Sequence, residues 1–301
     1  VDIRARHAED YEGGRIGYAF EHPIRTPDNI DWLKPRTWWV DREETRKRQE
    51  RLADAFGDTL PVVLHGTTSL HAGLTSDLFK LIGNENLMTW VYDEPEALHR
   101  LMAYLRDDRL TYLNWLEQEG LLGLNNNSTH VGSGSPGFTT ALPRPGCAGT
   151  LQLKDLWVWI ESQETTSISP TMFGEFFLPY MAEVSGRFGL VYYGCCEPVH
   201  DRWDLIREAI PNVRAVSISP WCDMQEMAEN LGRSCVFSRK PRPAPISGIV
   251  PDWETLRKDL DETLTAARDC NLEIVFRDVY RIGGDRPRLR KWVEMVRARI
   301  N

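Results

Sequence analysis

The chain has 301 residues, 42% of them hydrophobic and 27% charged, with a formal net charge of -8. That apolar content excludes wholesale disorder, and the acidic balance speaks against a nucleic-acid backbone as main partner, because such binders concentrate Lys and Arg. No run of about 18 apolar residues occurs, so no membrane-spanning helix is predicted.

In chain order, VDIRARHAEDYEGG (1–14) is polar and charged, unlike a secretory signal. We expect residues 1–58 to form a peripheral N-terminal segment, truncated at its front because the first residue is Val. RIGYAFE (15–21) is a weak strand candidate. LPVVLHG (60–66), GLLGLNN (120–126), LWVWIES (156–162), FGLVYYG (188–194), VRAVSIS (213–219), SCVFSRK (234–240) and LEIVFRD (272–278) are continuous apolar runs, the pattern of strands covered on both faces. Between them, 93–118 carries apolar residues at three- and four-residue steps, which predicts a helix. The helix predicted over 169–188 opens with Ser169 as N-cap and Pro170 at its first position, and Pro179 predicts a break. Residues 250–270 and 285–300 read as amphipathic helices with Pro near the start. The Pro-rich 239–253 reads as a long loop rather than a boundary.

Alternating strands and helices predict βαβ units and a parallel sheet. With RIGYAFE as an eighth strand, the class is α/β and the architecture a single (β/α)8 TIM barrel over 1–301; the alternative is an open doubly wound sheet. No glycine-rich phosphate loop follows an early strand, so a dinucleotide site is not supported. The six cysteines show no CxxC pair in a large, core-rich chain, which predicts free thiols and a reducing cytoplasm.

In a parallel barrel, chemistry gathers at the C-terminal strand ends. Here those ends carry His65; Asn125, Asn126, Asn127 and His130; Glu161, Gln163 and Glu164; Cys195, Cys196 and Glu197; Ser219 and Trp221; Arg239 and Lys240; Arg277 and Asp278. One polar end is ordinary, since every strand stops in a loop. Ionisable groups at so many ends, above apolar strand bodies, point to a site. In GCCEP (194–198), thiolate and carboxylate are groups that hold zinc. Adjacent strand residues face opposite ways, so Cys195 and Cys196 reach one ion only if the strand has already ended. The plain alternative is that one cysteine fills core and Pro198 starts the next helix. LNNNSTHVGSGSPGFTT (124–140) reads as a mobile or backbone-approach loop after a strand, of the kind that covers a barrel mouth, or else as a surface loop with His130 exposed. Trp159 and Trp221, among eleven tryptophans, could form an aromatic slot.

The chain resembles the uroporphyrinogen decarboxylase superfamily, in the branch that includes zinc-dependent, corrinoid-linked methyltransferases. The blocks that carry the resemblance are GNENLMTWVYDEPEALHRLMAYL (83–105), WIESQETTSISPTMFGEFFLPY (159–180), FGLVYYGCCEPVHDRWDLIREAIPNVRAVSISPW (188–221), FSRKPRP and the late FRDVYRIGGDRPRLRKWVEMV; their order covers most of 60–298. The resemblance implies a barrel with its site at the C-terminal mouth, a homodimer, and methyl transfer between a small methylated substrate and a corrinoid or thiol acceptor. The branch carries His-x-Cys after a middle strand and a Cys at the last one. Here Tyr193-Gly194-Cys195 lacks the His and FRDVY offers Asp278 without a Cys. On this reading Cys195, Cys196 and Glu197 are the metal candidates, for zinc. Glu161, Glu164 and Asp278 complete the coordination or move the proton. His65, Asn125, Asn126, His130, Trp159, Gln163 and Trp221 line the substrate, and Arg239 and Lys240 hold an anionic group. With no Asp-x-His-x-x-Gly motif, a corrinoid would arrive on a partner protein. Two alternatives stand. One is a metal-free decarboxylase or lyase, with Arg239, Lys240 and Arg277 on a carboxylate and Asp278 as acid. The other is a non-catalytic binder of a tetrapyrrole or a corrinoid protein. The decarboxylase's arginine-rich N-terminal motif has no clear equivalent in residues 1–60.

Overall fold

The computed structural model describes residues 3–9, 15–147 and 149–300. Part of the polar stretch 1–14 therefore lies outside the described residues. β1 (Arg4–Glu9) and β2 (Arg15–Glu21) pair antiparallel as a two-stranded ribbon of their own. RIGYAFE is thus a strand, but it joins a neighbour in sequence instead of supplying an eighth member of the main sheet. An antiparallel partner needs only a short turn, whereas a parallel one needs a long crossover.

α1 (Arg42–Phe56) is capped by Asp41, which accepts from the Glu44 N–H at 2.8 Å, and buries none of its residues. α2 (Leu74–Asp93) and α3 (Pro95–Gln118) follow. α3 realises the predicted period, burying Leu98, Leu101, Met102 and Leu105 along one face. Then come β3 (Trp157–Ile160), α4 (Pro170–Phe176), α5 (Leu178–Ser185), β4 (Leu190–Tyr193), α6 (Trp203–Ala209), β5 (Val213–Ile218), α7 (Met224–Leu231), β6 (Val236–Arg239), α8 (Ala244–Ser247), α9 (Trp253–Ala266), β7 (Asn271–Ile274) and α10 (Pro287–Ile300). α4 and α5 are one predicted helix broken at Phe177, two residues before Pro179, whose ring and missing N–H disrupt the turn before it. Ser169 caps α4 as predicted, accepting from Met172 N–H.

β3 to β7 form a five-stranded parallel sheet in sequence order. The fold is α/β, a parallel sheet with helices between its strands, an arrangement consistent with a TIM-like barrel. Two isolated parallel bridges, Thr67 to Leu122 and His71 to Trp159, prolong the sheet beyond β3. The expected strand LPVVLHG is corrected here: Leu60, Val63 and Leu64 are exposed, and pairing starts only at Thr67. Beyond the sheet those apolar side chains find no second layer to bury them.

Alternation sets two faces. Val158, Ile160, Val191, Tyr193, Val216, Ile218 and Phe237 pack into the large core with the helices. Trp157, Leu190, Tyr192 and Ala215 pack together on the opposite face, joined there by Val131 and Leu142. The stretch 124–140 is therefore no surface flap. Its turn, bridged antiparallel from His130 to Pro136, buries Val131, Ser133 and Ser135 over that second face. No helix among the described residues is long and apolar enough to cross a membrane.

Candidate active site at the C-terminal strand ends

Glu161 follows β3 and is buried, at 2% relative exposure. Burial, and then the charge of Glu164, push its carboxyl up to about 8, so it is protonated at neutral pH. Its Oε2 accepts from the Gln163 N–H at 3.1 Å, and its side chain lies within hydrogen-bond reach of Glu164. Glu164 is fixed by Thr75, whose hydroxyl donates to its Oε2 at 2.8 Å. His71 stands on the other side, Nε2 3.4 Å from Glu161 Oε1. That approach makes no hydrogen bond, and Nε2 is buried without a partner. Burial, with the nearby Arg109 cation, lowers the His71 pKa to about 4, leaving the ring neutral. Arg109 also donates to the His71 carbonyl at 3.1 Å and pairs with Asp77 at 2.7 Å, fixing the backbone there. Gly73 makes room: a Cβ would stand 2.6 Å from His71 Nε2. Sequence reasoning missed His71 and chose His65, which is exposed beside Trp39, Leu64 and Trp115 in a different cavity. The usable signal was His-Ala-Gly directly before a helix start, where small residues leave a ring space to reach a neighbouring strand end.

Glu197 ties β3 to β4. Its Oε1 accepts from the Ser162 N–H and its Oε2 from the Cys195 N–H, both at 2.8 Å. It is 1% exposed, and burial followed by the Glu161 charge raises its pKa to about 7. Both oxygens are thus committed to backbone rather than free for an ion. Cys195 and Cys196 lie with their Sγ atoms 3.7 Å apart. The contact between the two thiols, in which either can donate, raises the pKa of Cys195 and lowers that of Cys196. Cys195 is buried, while Cys196 is half-buried in a cleft wall. Timed alkylation with iodoacetamide should therefore modify Cys196 about tenfold or more faster than Cys195, read by fragmentation of the labelled peptide. Equal rates would mean that the two thiols share one environment.

The cleft has a volume of about 640 Å³ and is walled by Gln163, Glu164, Cys196, Glu197, Trp221 and Phe20 among others. Trp221 is 62% exposed at its rim. Trp159 is half-buried, donates through Nε1 to the Gly194 carbonyl at 3.0 Å, and lies between the His71 and His130 rings, with centroids at 4.5 and 5.7 Å. His130 is exposed and its Nε2 accepts from the Gly134 N–H at 3.0 Å.

Other predicted residues stand elsewhere. Asn125 is buried, and its amide donates to the Thr68 and Trp157 carbonyls and accepts from the Trp157 N–H. Asn126 donates to the Leu142 carbonyl at 2.7 Å. Both serve backbone groups that lack a continuous strand ladder. Arg239 faces the helices, where it pairs with Asp259 of α9 at 2.5 Å and donates to the Ser219 carbonyl at 3.0 Å. Strand alternation places it on the face opposite Lys240. Asp278 is exposed beyond β7 in the left-handed region, φ 58°, and accepts from Tyr280 at 2.9 Å. It stands apart from the Glu161–Glu164 pair, and its charge acts on Cys196.

Lys240 is buried, its ammonium 2.5 Å from Ser238 Oγ and 3.3 Å from Ser135 Oγ. Tyr192 donates to Ser238 at 2.9 Å, and Ser135 and Ser238 both donate to Glu273. Burial lowers the Lys240 pKa to about 8. Glu273 and Ser238 escaped sequence reasoning because they sit inside apolar strands and face inward only by register.

The chain shares its fold with a methyltransferase. The solved structure is of a methyltransferase from Methanosarcina mazei, with a TM-score of 0.57 and 10% sequence identity, over 98% of this chain and 76% of that one. No protein-family model and no curated protein matches the chain. At this identity the likeness bears on architecture. Among the described residues no group of three or more His, Cys, Asp or Glu side chains gathers to hold a metal ion. Two sulfurs beside a carboxylate already occupied by amides do not fit the three protein ligands of a catalytic zinc.

Proposed function

We propose that the protein is a methyltransferase of the uroporphyrinogen decarboxylase-like type, built as one eight-stranded barrel whose mouth is the cleft described above. The observation that carries this reading is Glu161, protonated at neutral pH beside a neutral His71 and in reach of Glu164, which borders a cleft that also holds the Cys196 thiol. A methyl group leaves a heteroatom only if that atom can take the electron pair. The shared proton supplies the means: the heteroatom–methyl bond breaks, the methyl bonds to the acceptor's nucleophilic atom, and the heteroatom receives a proton through Glu164. The pair regains its proton from solvent. The acceptor is a thiolate or a corrinoid brought by a partner protein, and either one supplies the nucleophile. Trp159 and Trp221 bound the apolar part of the substrate. No step here requires the zinc that the resemblance implies.

The test is methyl transfer by the purified chain from a panel of small methyl ethers and methylamines to a free thiol or to cob(I)alamin, followed by mass spectrometry. Demethylated donor and methylated acceptor in equal amounts support the proposal. Release of carbon dioxide from carboxylated substrates without methyl transfer would instead make the chain a lyase. That second reading draws on the same buried acid, which could equally protonate a carbanion.

A further inference from the structure

The turn Gly132-Ser133-Gly134-Ser135 over the sheet's second face brings three nitrogen-bearing side chains to one place. The Lys240 ammonium reaches Ser135 Oγ at 3.3 Å. His130 Nε2 accepts from the Gly134 N–H, which leaves the other ring nitrogen as a donor. The Arg277 stem lies across Gly134. This residue has φ +85°, and a Cβ there would stand 3.0 Å from Arg277 Cδ and 2.8 Å from Val275 Cγ1. A side chain at 134 would therefore push Arg277 away. Arg277 makes no hydrogen bond or ion pair among the described residues.

Burial lowers the pKa values of both Lys240 and His130, and the Arg277 charge adds to the lowering, which Glu273 partly opposes at Lys240. The one carboxylate in this group, Glu273, is engaged by the hydroxyls of Ser135 and Ser238. A buried ammonium and a guanidinium with no partner among the described residues, held together at a cost, imply an anion that joins them.

We infer that the site accepts substrates carrying a carboxylate, seated between Lys240 and Arg277, with His130 as a further donor. This takes the place of the Arg239–Lys240 pair expected from sequence. The inference rests on the proposed reading that the strand ends are the site of chemistry, and it names the substrate class.

The test is calorimetric binding to the full chain, which does not depend on turnover. Methoxyacetate is the probe, and methoxyacetamide, its uncharged isostere, is the control. Methoxyacetate is expected to bind at least about tenfold more tightly than the amide, and Arg277→Gln to remove that preference while leaving amide binding unchanged. Arg277→Lys should restore part of it. Equal binding of the two probes, no change in Arg277→Gln, or no methoxyacetate binding up to about 10 mM would overturn the inference. Anion binding that persists in a protein with no methyl transfer would sink the proposed reaction and keep the subsite. Transfer that proceeds equally from charged and neutral donors would do the reverse.

Discussion

Glu161→Gln is expected to lower turnover about 100- to 10,000-fold at pH 7, the range for removing a positioned general acid, while the protein still folds. The substitution keeps shape and keeps a neutral group in a buried place. Glu161 is already protonated there, raised to about 8 by burial and by Glu164, so an amide adds no desolvation cost. What it removes is the shared proton. The pH profile separates this from a structural effect. Turnover of the parent protein should fall as pH rises through about 8, where Glu161 loses its proton. The variant should lack that limb. The stability of the parent should decline earlier, between about pH 4.5 and about 8, because a carboxyl with a raised folded pKa stabilises most below its unfolded value of 4.5 and contributes nothing once pH exceeds the folded value. A Glu161→Gln protein with parental activity would remove the acid from the mechanism.

Glu197→Ala should cost about 3–5 kcal/mol of stability, visible as a large drop in the urea midpoint. The carboxylate satisfies two buried amides, Ser162 N–H and Cys195 N–H, at the ends of adjacent strands. Alanine leaves both without acceptors and opens a small cavity. Glu197 should account for about 3 kcal/mol of the stability the parent loses as pH rises from about 4.5 to about 7, since its folded carboxyl holds its proton more tightly than the unfolded one. The variant should lack this part of the slope. His71 works the other way: its pKa is depressed to about 4, so its contribution is present above its unfolded value of 6.5 and lost as pH falls toward 4. Comparing Glu197→Ala with the parent at each pH cancels the His71 contribution. A loss under about 1 kcal/mol would mean that water replaces the carboxylate, and that the strand ends are less dry than they look.

The helices were legible wherever a period of three and four coincided with a cap. Residues 93–118 became α3 within two residues, and Ser169, Pro170 and Pro179 marked the start and break of α4 and α5. β3 to β7 were legible because strands buried on both faces must be continuously apolar. LPVVLHG met the same criterion and failed, because an apolar run does not state whether a neighbour exists to pair with it. The short helix α6 was missed because seven residues hold too few turns to show a period.

At the site, the sequence determined the chemistry available: Glu161, Glu164, the Cys195–Cys196 pair, Glu197 and Lys240 all follow apolar strands, where the chain must turn. The tertiary structure alone decided which of these groups could act. It turned Glu197, Asn125 and Asn126 to backbone partners and Arg239 to α9, and it brought His71 and Arg277 in from segments far away in sequence. The physical reason is that residue type fixes what a group can donate, accept or titrate, whereas register and burial fix its partners. A buried polar atom goes to the partner that satisfies it, and that partner lies on another strand whose position no local pattern records.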